Sequence, residues 1–200
     1  MSNTTISRDT TAARKAMIDS QLRTSGVNEE FVLARMLAVP REDYLPADKA
    51  SLAYIDRSIA LGEAGHLAAP LFYGKLLLEA APAPTDRVLL VEGGTGYLAE
   101  LLRPLVAEVI TVSAADAAAG NLPEGTYSLI LIDGAIEQLP EAFGAALEEN
   151  GLIVSGLLLR KVTRLASGRK VAGQVALSPV EDLGIPVLHG FDRPKSWTFS

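Results

Sequence analysis

The sequence is most easily characterised by what it lacks: cysteine is absent from its 200 residues, and there are only two histidines, His66 and His189. Without cysteine there is no disulfide framework, no thiolate zinc site and no cysteine nucleophile. The two histidines lie far apart in sequence and show no ligand spacing, so we expect no metal site. No apolar run reaches the roughly 20 residues that span a bilayer. Residues 1–20 lack the apolar segment of a signal peptide. We therefore expect a cytoplasmic protein with no membrane partner.

Long basic runs are also missing. The 18 lysines and arginines are outnumbered by 24 acidic residues, which gives a formal net charge of −6. Such a chain is poorly suited to binding nucleic acid through phosphates. Hydrophobic residues make up 48% and charged residues 21% of the chain, as in ordinary folded proteins. The length predicts one domain, over residues 11–200. We expect a helical part at 11–80 and a core at 86–200 within it. Residues 1–10 are expected to be flexible, as chain termini often are.

Helical periodicity dominates the first part of the chain. Apolar residues at three- and four-residue steps predict helices over 11–24 and 28–39, with Asn28 as the N-cap of the second. A third helix is expected after Pro70, because proline suits the first turn of a helix, and it should end before Pro82.

Short apolar runs replace this periodicity after residue 85. They predict four buried strands, at 87–91, 109–112, 127–132 and 151–159. Helical segments at 97–105 and 137–147 separate them, which is typical of a parallel sheet covered on both faces. Residues 160–166 and 169–176 read as an antiparallel hairpin that turns at Ser167 and Gly168. The sequence thus predicts a three-layer, Rossmann-like α/β fold, mostly parallel, with a helical N-terminal extension and a C-terminal antiparallel hairpin.

A glycine-rich turn lies between the first predicted strand and its helix. Residues 94–99 match the pattern G-x-G-x-x-G/A, which lets the backbone approach a bound nucleotide. A dinucleotide site also needs an acid at the end of the next strand, but that strand ends in Ser113, and Asp116 lies three residues further on. An NAD-dependent oxidoreductase is therefore one reading of the turn, and the least favoured.

Several motifs occur in the order found in one protein family. They are the segment 39–46 (Val-Pro-Arg-Glu-Asp-Tyr-Leu-Pro), Ala53, Tyr54, Asp56, the loop 62–70, the turn 95–97, Gly190 and Phe191. Together they resemble the protein-L-isoaspartate O-methyltransferase family over residues 12–199. The resemblance implies a methyltransferase fold, S-adenosylmethionine as cofactor, and isoaspartyl-containing proteins or peptides as substrates. The implied cofactor-binding positions are Glu92, Gly93, Gly94, Thr95, Gly96, Tyr97, Ser113 and Asp133.

This sequence departs from the family pattern at the cofactor. Glu92 replaces the first glycine of the turn and places a carboxylate against that of the cofactor, unless it is simply a solvated turn residue. Ser113 replaces the acid that binds the ribose. Only 14 residues, 113–126, separate the second and third strands. The family has an additional strand and an adenine-binding turn there, so we expect a sheet that is one edge strand short.

The catalytic loop departs as well. The family's serine falls on Ala68 and its threonine on His66, which is the remaining candidate for a catalytic group if it is not simply exposed. Asp133 either faces the cleft or caps the helix expected after it. Tyr54, Asp56 and Arg57 border a substrate groove, unless Tyr54 is a core residue.

These departures leave two readings besides the oxidoreductase. In the first, the chain is a diverged family member, a pseudoenzyme whose methyl transfer is weak or lost. In the second, it is a non-catalytic binding or assembly module, because residues 109–112 would form an open sheet edge unless the loop 114–126 shields it, and an open edge favours a homodimer or a bound partner strand.

Overall fold

The computed structural model describes residues 3–194, which form six α-helices and eight β-strands. The helices are α1 (Asn3–Met17), α2 (Glu30–Ala38), α3 (Pro70–Ala80), α4 (Tyr97–Leu102), α5 (Ala114–Ala118) and α6 (Glu141–Ala146). The strands are β1 (Ile59–Ala60), β2 (His66–Leu67), β3 (Arg87–Glu92), β4 (Glu108–Ser113), β5 (Tyr127–Ile136), β6 (Leu147–Leu159), β7 (Val162–Arg169) and β8 (Ser178–Asp182). None of the helices in this part of the chain is long and apolar enough to cross a membrane.

The main sheet confirms the predicted fold class. Its strand order is β4-β3-β5-β6-β7-β8. The first four strands are parallel, whereas β7 and β8 are each antiparallel to the strand before. Among residues 3–194 β4 is the outermost strand, with no further strand beyond it, as the short connection at 113–126 predicts. The ends of the parallel strands β3 and β4 lie at one edge, where such folds bind ligands.

Both faces of the sheet are covered. In β3, Val88 and Leu90 pack into the core beneath α3, α4 and the N-terminal helices, whereas Leu89 and Val91 pack against the opposite side. Successive strand side chains point to opposite faces, which is why a strand buried on both faces is continuously apolar. The second core includes Phe143 of α6.

The N-terminal helices differ in detail from the prediction. α1 begins at Asn3, so residues 3–10, expected to be flexible, are helical, and a π-helical turn (Ile18–Leu22) and a short 3₁₀ turn (Arg23–Ser25) continue it. α2 is capped at Glu29 rather than Asn28, without a side-chain hydrogen bond. The first two hydrogen bonds of this helix are donated by the amides of Val32 and Leu33 to the Glu29 carbonyl.

Antiparallel strands are present in the C-terminal part, but the predicted hairpin is wrong: β6 pairs with β7, and most of the predicted second arm, 169–176, lies beyond β7 and contains an isolated bridge between Val171 and Gln174. The strands β6 and β7 turn at Arg160 and Lys161, whose φ angles of 52° and 66° suit a two-residue hairpin turn. Ser167 and Gly168 lie inside β7 instead, where a side chain on Gly168 would overlap the Ala176 carbonyl. This glycine allows two backbone segments to approach and does not mark a turn.

Candidate functional site

The glycine-rich turn between β3 and α4 is bridged by the side chain of Glu92, the residue at its start. Gly94 and Gly96 adopt φ angles of 115° and 73°, which side chains rarely tolerate. The Glu92 carboxylate accepts a hydrogen bond from the Gly96 amide at 3.2 Å. A residue that aligns with a family glycine therefore braces the turn with its side chain.

The loop that contains residues 62–66 packs directly on this turn. The His66 amide donates to the Gly93 carbonyl at 2.9 Å. A Cβ atom at Gly65 would overlap the Gly93 carbonyl, and one at Gly94 would overlap the Ala64 carbonyl. Glycine is required at both positions because the two backbones touch.

A cleft of about 530 Å³ lies beside this contact, at the carboxyl ends of β3 and β4. Its walls are Gly62, Glu63, Ala64, Gly65, His66, Glu92, Gly93, Gly94, Ser113, Ala114, Ala115 and residues 187–190. The Ser113 hydroxyl, the candidate ribose ligand, already donates to the Asp116 carboxylate at 2.7 Å and accepts from the Asp116 amide at 3.0 Å. It caps α5 and has little capacity left for a ribose.

A buried polar cluster lies behind the turn. Asp133 is fully buried and accepts a hydrogen bond from the Tyr73 hydroxyl at 3.2 Å. The same hydroxyl accepts from the Ala68 amide at 3.1 Å. His66 Nε2 lies 3.7 Å from Asp133 Oδ1, and neither atom has a hydrogen-bond partner among the described residues. The position of the family serine is therefore tied to Asp133 through Tyr73.

The predicted N-cap role of Asp133 is wrong. β5 continues to Ile136, so Asp133 lies within a strand, and α6 begins at Glu141 rather than 137. Backbone hydrogen bonds with residues 186–188 hold the end of this strand. The Ala135 amide donates to the Pro186 carbonyl, and the Leu188 amide donates to the Ala135 carbonyl. Asp133 also does not line the cleft, because Gly93 lies in front of it.

The other predicted residues divide into two groups. Glu92, Gly93, Gly94, Ser113 and His66 line one cleft. Thr95, Gly96 and Tyr97 do not. The Tyr97 ring is fully buried and packs edge-on against Tyr44 and Tyr73, with centroids 5.2 and 5.1 Å away. Tyr97 therefore supports the site from beneath.

A second groove, of about 600 Å³, lies on the other side of His66. Asp56 and Arg57 border it, and so do Ser58 and Thr163. Tyr54 does not, because its hydroxyl bonds with Glu42 and accepts from Arg14 at 2.8 Å. Burial, followed by the Glu42 hydrogen bond, raises the pKa of Tyr54.

Sequence reasoning missed two residues that hold the loop containing Ala68. Arg41 is fully buried, and its guanidinium donates to the carbonyls of Ala53 and Ala68 at 2.7 and 2.8 Å. Tyr73 holds the Ala68 amide from the other side. The Pro-Arg-Glu motif drew attention to Arg41 but gave no indication of its partners. Tyr73 was indistinguishable from other apolar residues of α3.

Glu92 is the ionisable group of the cleft with the largest perturbation. Burial and, after it, the nearby Asp133 carboxylate raise the pKa of Glu92 to about 7, although the Gly96 amide and Arg103 oppose the change. The ordinary value is 4.5. Because the folded state holds this proton more tightly, the stabilisation is complete below pH 4.5 and is lost as the pH rises through 7.

We expect Glu92→Gln to remove this pH dependence. A shift of this size corresponds to at most about 3 kcal/mol, and partial solvent contact reduces the expected gain to about 2 kcal/mol at pH 8, with little gain at pH 4.5. Urea unfolding at pH 4.5, 6, 7 and 8 measures it. The exposed loop residue Glu63, changed to Gln, is the control. Equal gains at pH 4.5 and 8 would contradict the shift.

Comparison with solved structures defines the class of fold. A Plasmodium falciparum protein-L-isoaspartate O-methyltransferase in complex with S-adenosyl-L-homocysteine has 17% sequence identity and a TM-score of 0.65, over 90% of this chain and 97% of its own. A second protein-L-isoaspartate O-methyltransferase structure has 19% identity and a TM-score of 0.69, over 87% and 65% of the two chains. The chain has the fold of this class of methyltransferases.

Sequence comparison is more specific. The family model of protein-L-isoaspartate(D-aspartate) O-methyltransferase matches residues 12–116. The protein-L-isoaspartate O-methyltransferases of Koribacter versatilis and Methylorubrum extorquens are 29% and 30% identical to the chain. These matches cover 84% and 80% of this chain and 87% and 83% of the relatives. The chain belongs to the protein-L-isoaspartate O-methyltransferase family, as its motifs predict.

Proposed function

We propose that the chain is a diverged member of its family, in which methyl transfer from S-adenosylmethionine to isoaspartyl carboxylates of proteins is weak or lost. The observation that carries the proposal is the Glu92 carboxylate, held in the glycine turn by the Gly96 amide. A glycine at this position leaves the turn open for the methionine end of the donor. A glutamate fills it and adds a charge.

The residues present do not fit the carboxylate of that donor. At pH values above 7, where Glu92 is ionised, its charge and that of the donor's carboxylate at 4 Å cost up to roughly 4 kcal/mol at an effective dielectric of about 20, whereas tenfold in affinity corresponds to about 1.4 kcal/mol. The ribose side is also weakened, because the Ser113 hydroxyl is bonded to Asp116. On the substrate side, Ala68 has no hydroxyl, and its backbone is held by Arg41 and Tyr73.

Two measurements test the proposal. Calorimetric titration with S-adenosylmethionine, S-adenosylhomocysteine and NAD measures cofactor binding. Transfer of labelled methyl groups to an isoaspartyl peptide, compared with the unmodified aspartyl peptide, measures activity. We expect the wild-type chain to bind both S-adenosyl compounds weakly and to transfer methyl groups at less than a hundredth of the rate of an active relative. NAD binding would favour the oxidoreductase instead.

Restoring the family residues should reverse the loss. We expect Glu92→Gly to increase S-adenosylhomocysteine affinity at least tenfold, because bulk and a negative charge leave the turn. Adding Ala68→Ser should then raise turnover, whereas Ala68→Ser alone should not. Micromolar binding of S-adenosylhomocysteine by the wild-type chain, or no gain in Glu92→Gly, would contradict the role given to Glu92.

A role in assembly is supported by a separate observation. β4 is the outermost strand of the sheet, and Glu108, Thr111 and Ser113 are exposed along it. We expect two copies to pair through this edge, because an open strand offers unpaired backbone groups. Sedimentation should show a dimer that Thr111→Lys weakens at least tenfold and Glu141→Lys, on exposed α6, does not. A monomer at all concentrations would contradict this pairing.

A further inference from the structure

The basic residues in and around β6 and β7 differ in the contacts that they make. Three of them form structural bonds: Arg164 with an acidic side chain of β8 at 2.6 Å, and Arg169 and Lys170 with backbone carbonyls at 3.1 and 2.7 Å. The other two, Arg160 and Lys161, form the turn between β6 and β7 and are exposed. Among the described residues, their side chains have no hydrogen-bond or ion-pair partner. Two cations are therefore free at the end of this hairpin.

Two apolar side chains flank this turn and are also exposed. Leu159 and Val162 are 39% and 41% exposed, and they lie directly opposite each other across the hairpin, so their side chains share one face. Single apolar side chains at a surface are normal, whereas adjacent ones with a polar rim mark interaction sites. Residues 159–162, named the hairpin tip from here on, thus combine two apolar side chains with two free cations.

The backbone of the hairpin tip is unfavourable for the residues that form it. Arg160 and Lys161 have φ angles of 52° and 66°, and a two-residue turn with both angles positive strongly prefers Asn-Gly or Gly-Gly. A side chain with a Cβ atom is disfavoured in this left-handed region. Backbone strain of this kind is found where a site needs particular residues. Here the strained positions are the ones that carry the free cations, so the charges explain a choice of residues that the turn itself does not favour.

The surroundings of the hairpin tip favour a polypeptide as the occupant. Thr163, the next residue along β7, lines the second groove, of about 600 Å³, so the tip continues into a concave surface that an extended segment can follow. An anionic bilayer fits less well, because the chain has a net charge of −6 and the tip offers only two apolar side chains to insert. The two free cations select a partner segment with carboxylates.

We propose that the hairpin tip docks an acidic segment of a partner protein, one in which carboxylates are interspersed with large apolar side chains. The carboxylates pair with Arg160 and Lys161, and the apolar side chains cover Leu159 and Val162. The inference goes beyond the proposed function and does not depend on it, because docking needs neither Glu92 nor the cleft beside the glycine turn.

Fluorescence anisotropy with short labelled peptides tests the proposal. The three probes are a peptide of alternating glutamate and leucine, one of alternating glutamate and serine, and one of alternating lysine and leucine. We expect the glutamate–leucine peptide to bind at least tenfold more tightly than either of the others, because only it offers both kinds of contact. Its affinity should fall several-fold when the salt concentration rises from about 0.05 to about 0.3 M, since exposed ion pairs are screened.

A double variant separates the charges from the fold. Arg160→Asn with Lys161→Gly installs the preferred turn sequence, so it should unfold at a higher urea concentration than the wild type and yet bind the glutamate–leucine peptide at least tenfold more weakly. Leu159→Ser should weaken binding several-fold. Arg160→Lys, which keeps the charge, and Lys15→Ala, which removes an exposed cation of α1, should each stay within about twofold of the wild type.

Three outcomes would overturn the proposal. The first is a double variant that binds the glutamate–leucine peptide as tightly as the wild type does. The second is a wild-type chain that binds none of the three peptides, or binds the lysine–leucine peptide equally well. The third is a wild-type chain that sediments with vesicles of phosphatidylcholine and phosphatidylserine more strongly than it binds the glutamate–leucine peptide, which would assign the hairpin tip to a membrane surface.

Discussion

Replacing Arg41 by alanine is expected to destabilise the fold by about 4 kcal/mol. The side chain is fully buried, and its guanidinium lies 5.1 Å from the Tyr97 ring and 5.6 Å from the Tyr73 ring. Its loss leaves the carbonyls of Ala53 and Ala68 without these bonds, each a cost of roughly 1–3 kcal/mol, and opens a cavity. Removing Arg41 also removes an unpaired buried charge, which by itself would stabilise the fold. This gain is smaller than the energy lost with two strong hydrogen bonds and the cation–π contacts.

Equilibrium urea unfolding measures the loss, and limited proteolysis within residues 53–69 shows where it acts. Arg57→Ala is the control, because Arg57 is exposed at the second groove and its loss should change stability by less than about 0.5 kcal/mol. Arg41→Lys should recover less than half of the stability, since an ammonium group cannot reproduce the fork that reaches two carbonyls. A loss below 1 kcal/mol in Arg41→Ala would show that the loop is held by other contacts.

The fold was predictable because its signals are local. The run at 88–91 is apolar at successive positions, as expected of a strand buried on both faces, and it lies in β3, between two parallel neighbours. Likewise, the 14 residues between the second and third strands leave no length for an additional strand. The prediction of the hairpin turn was wrong for a physical reason. Arg160 and Lys161 form the turn with positive φ angles, although neither is a typical turn residue.

The candidate site was predictable only where its residues are neighbours in sequence. Glu92, Gly93 and Gly94 follow one strand, so the strand prediction places them together at its carboxyl end. The contacts behind them are long-range: Tyr73 reaches Asp133 across 60 residues, and Arg41 reaches Ala68 across 27. No periodicity indicates such pairs. The hydrogen bond between the Gly96 amide and the Glu92 carboxylate was not predictable either. The sequence shows that Glu92 departs from the motif, but it does not show the direction of the side chain.

Gly94→Ala should be one of the most damaging single-methyl changes in the site, at about 4 kcal/mol. The φ of 115° at Gly94 is outside the range that an alanine adopts without strain, a cost of roughly 1–3 kcal/mol. The new Cβ would also overlap the Ala64 carbonyl, and overpacking typically costs about 1–3 kcal/mol more. Both backbones must shift to accommodate one methyl group, so the loop 62–66 should separate from the turn.

Two other glycines separate these contributions. Gly96 has a φ of 73° but no atom within 4 Å of its Cβ position, so Gly96→Ala should cost only about 1 kcal/mol of backbone strain. At Gly93 φ is not positive, but a Cβ would lie 2.7 Å from His66 Nε2 and from the Asp133 carbonyl, so Gly93→Ala tests overpacking alone. Urea unfolding of all three variants should rank Gly94→Ala as the least stable, with a loss close to the sum of the other two. If Gly94→Ala is no less stable than Gly96→Ala, then the loop does not rest on the turn, and the contact between them cannot be what shapes the cleft.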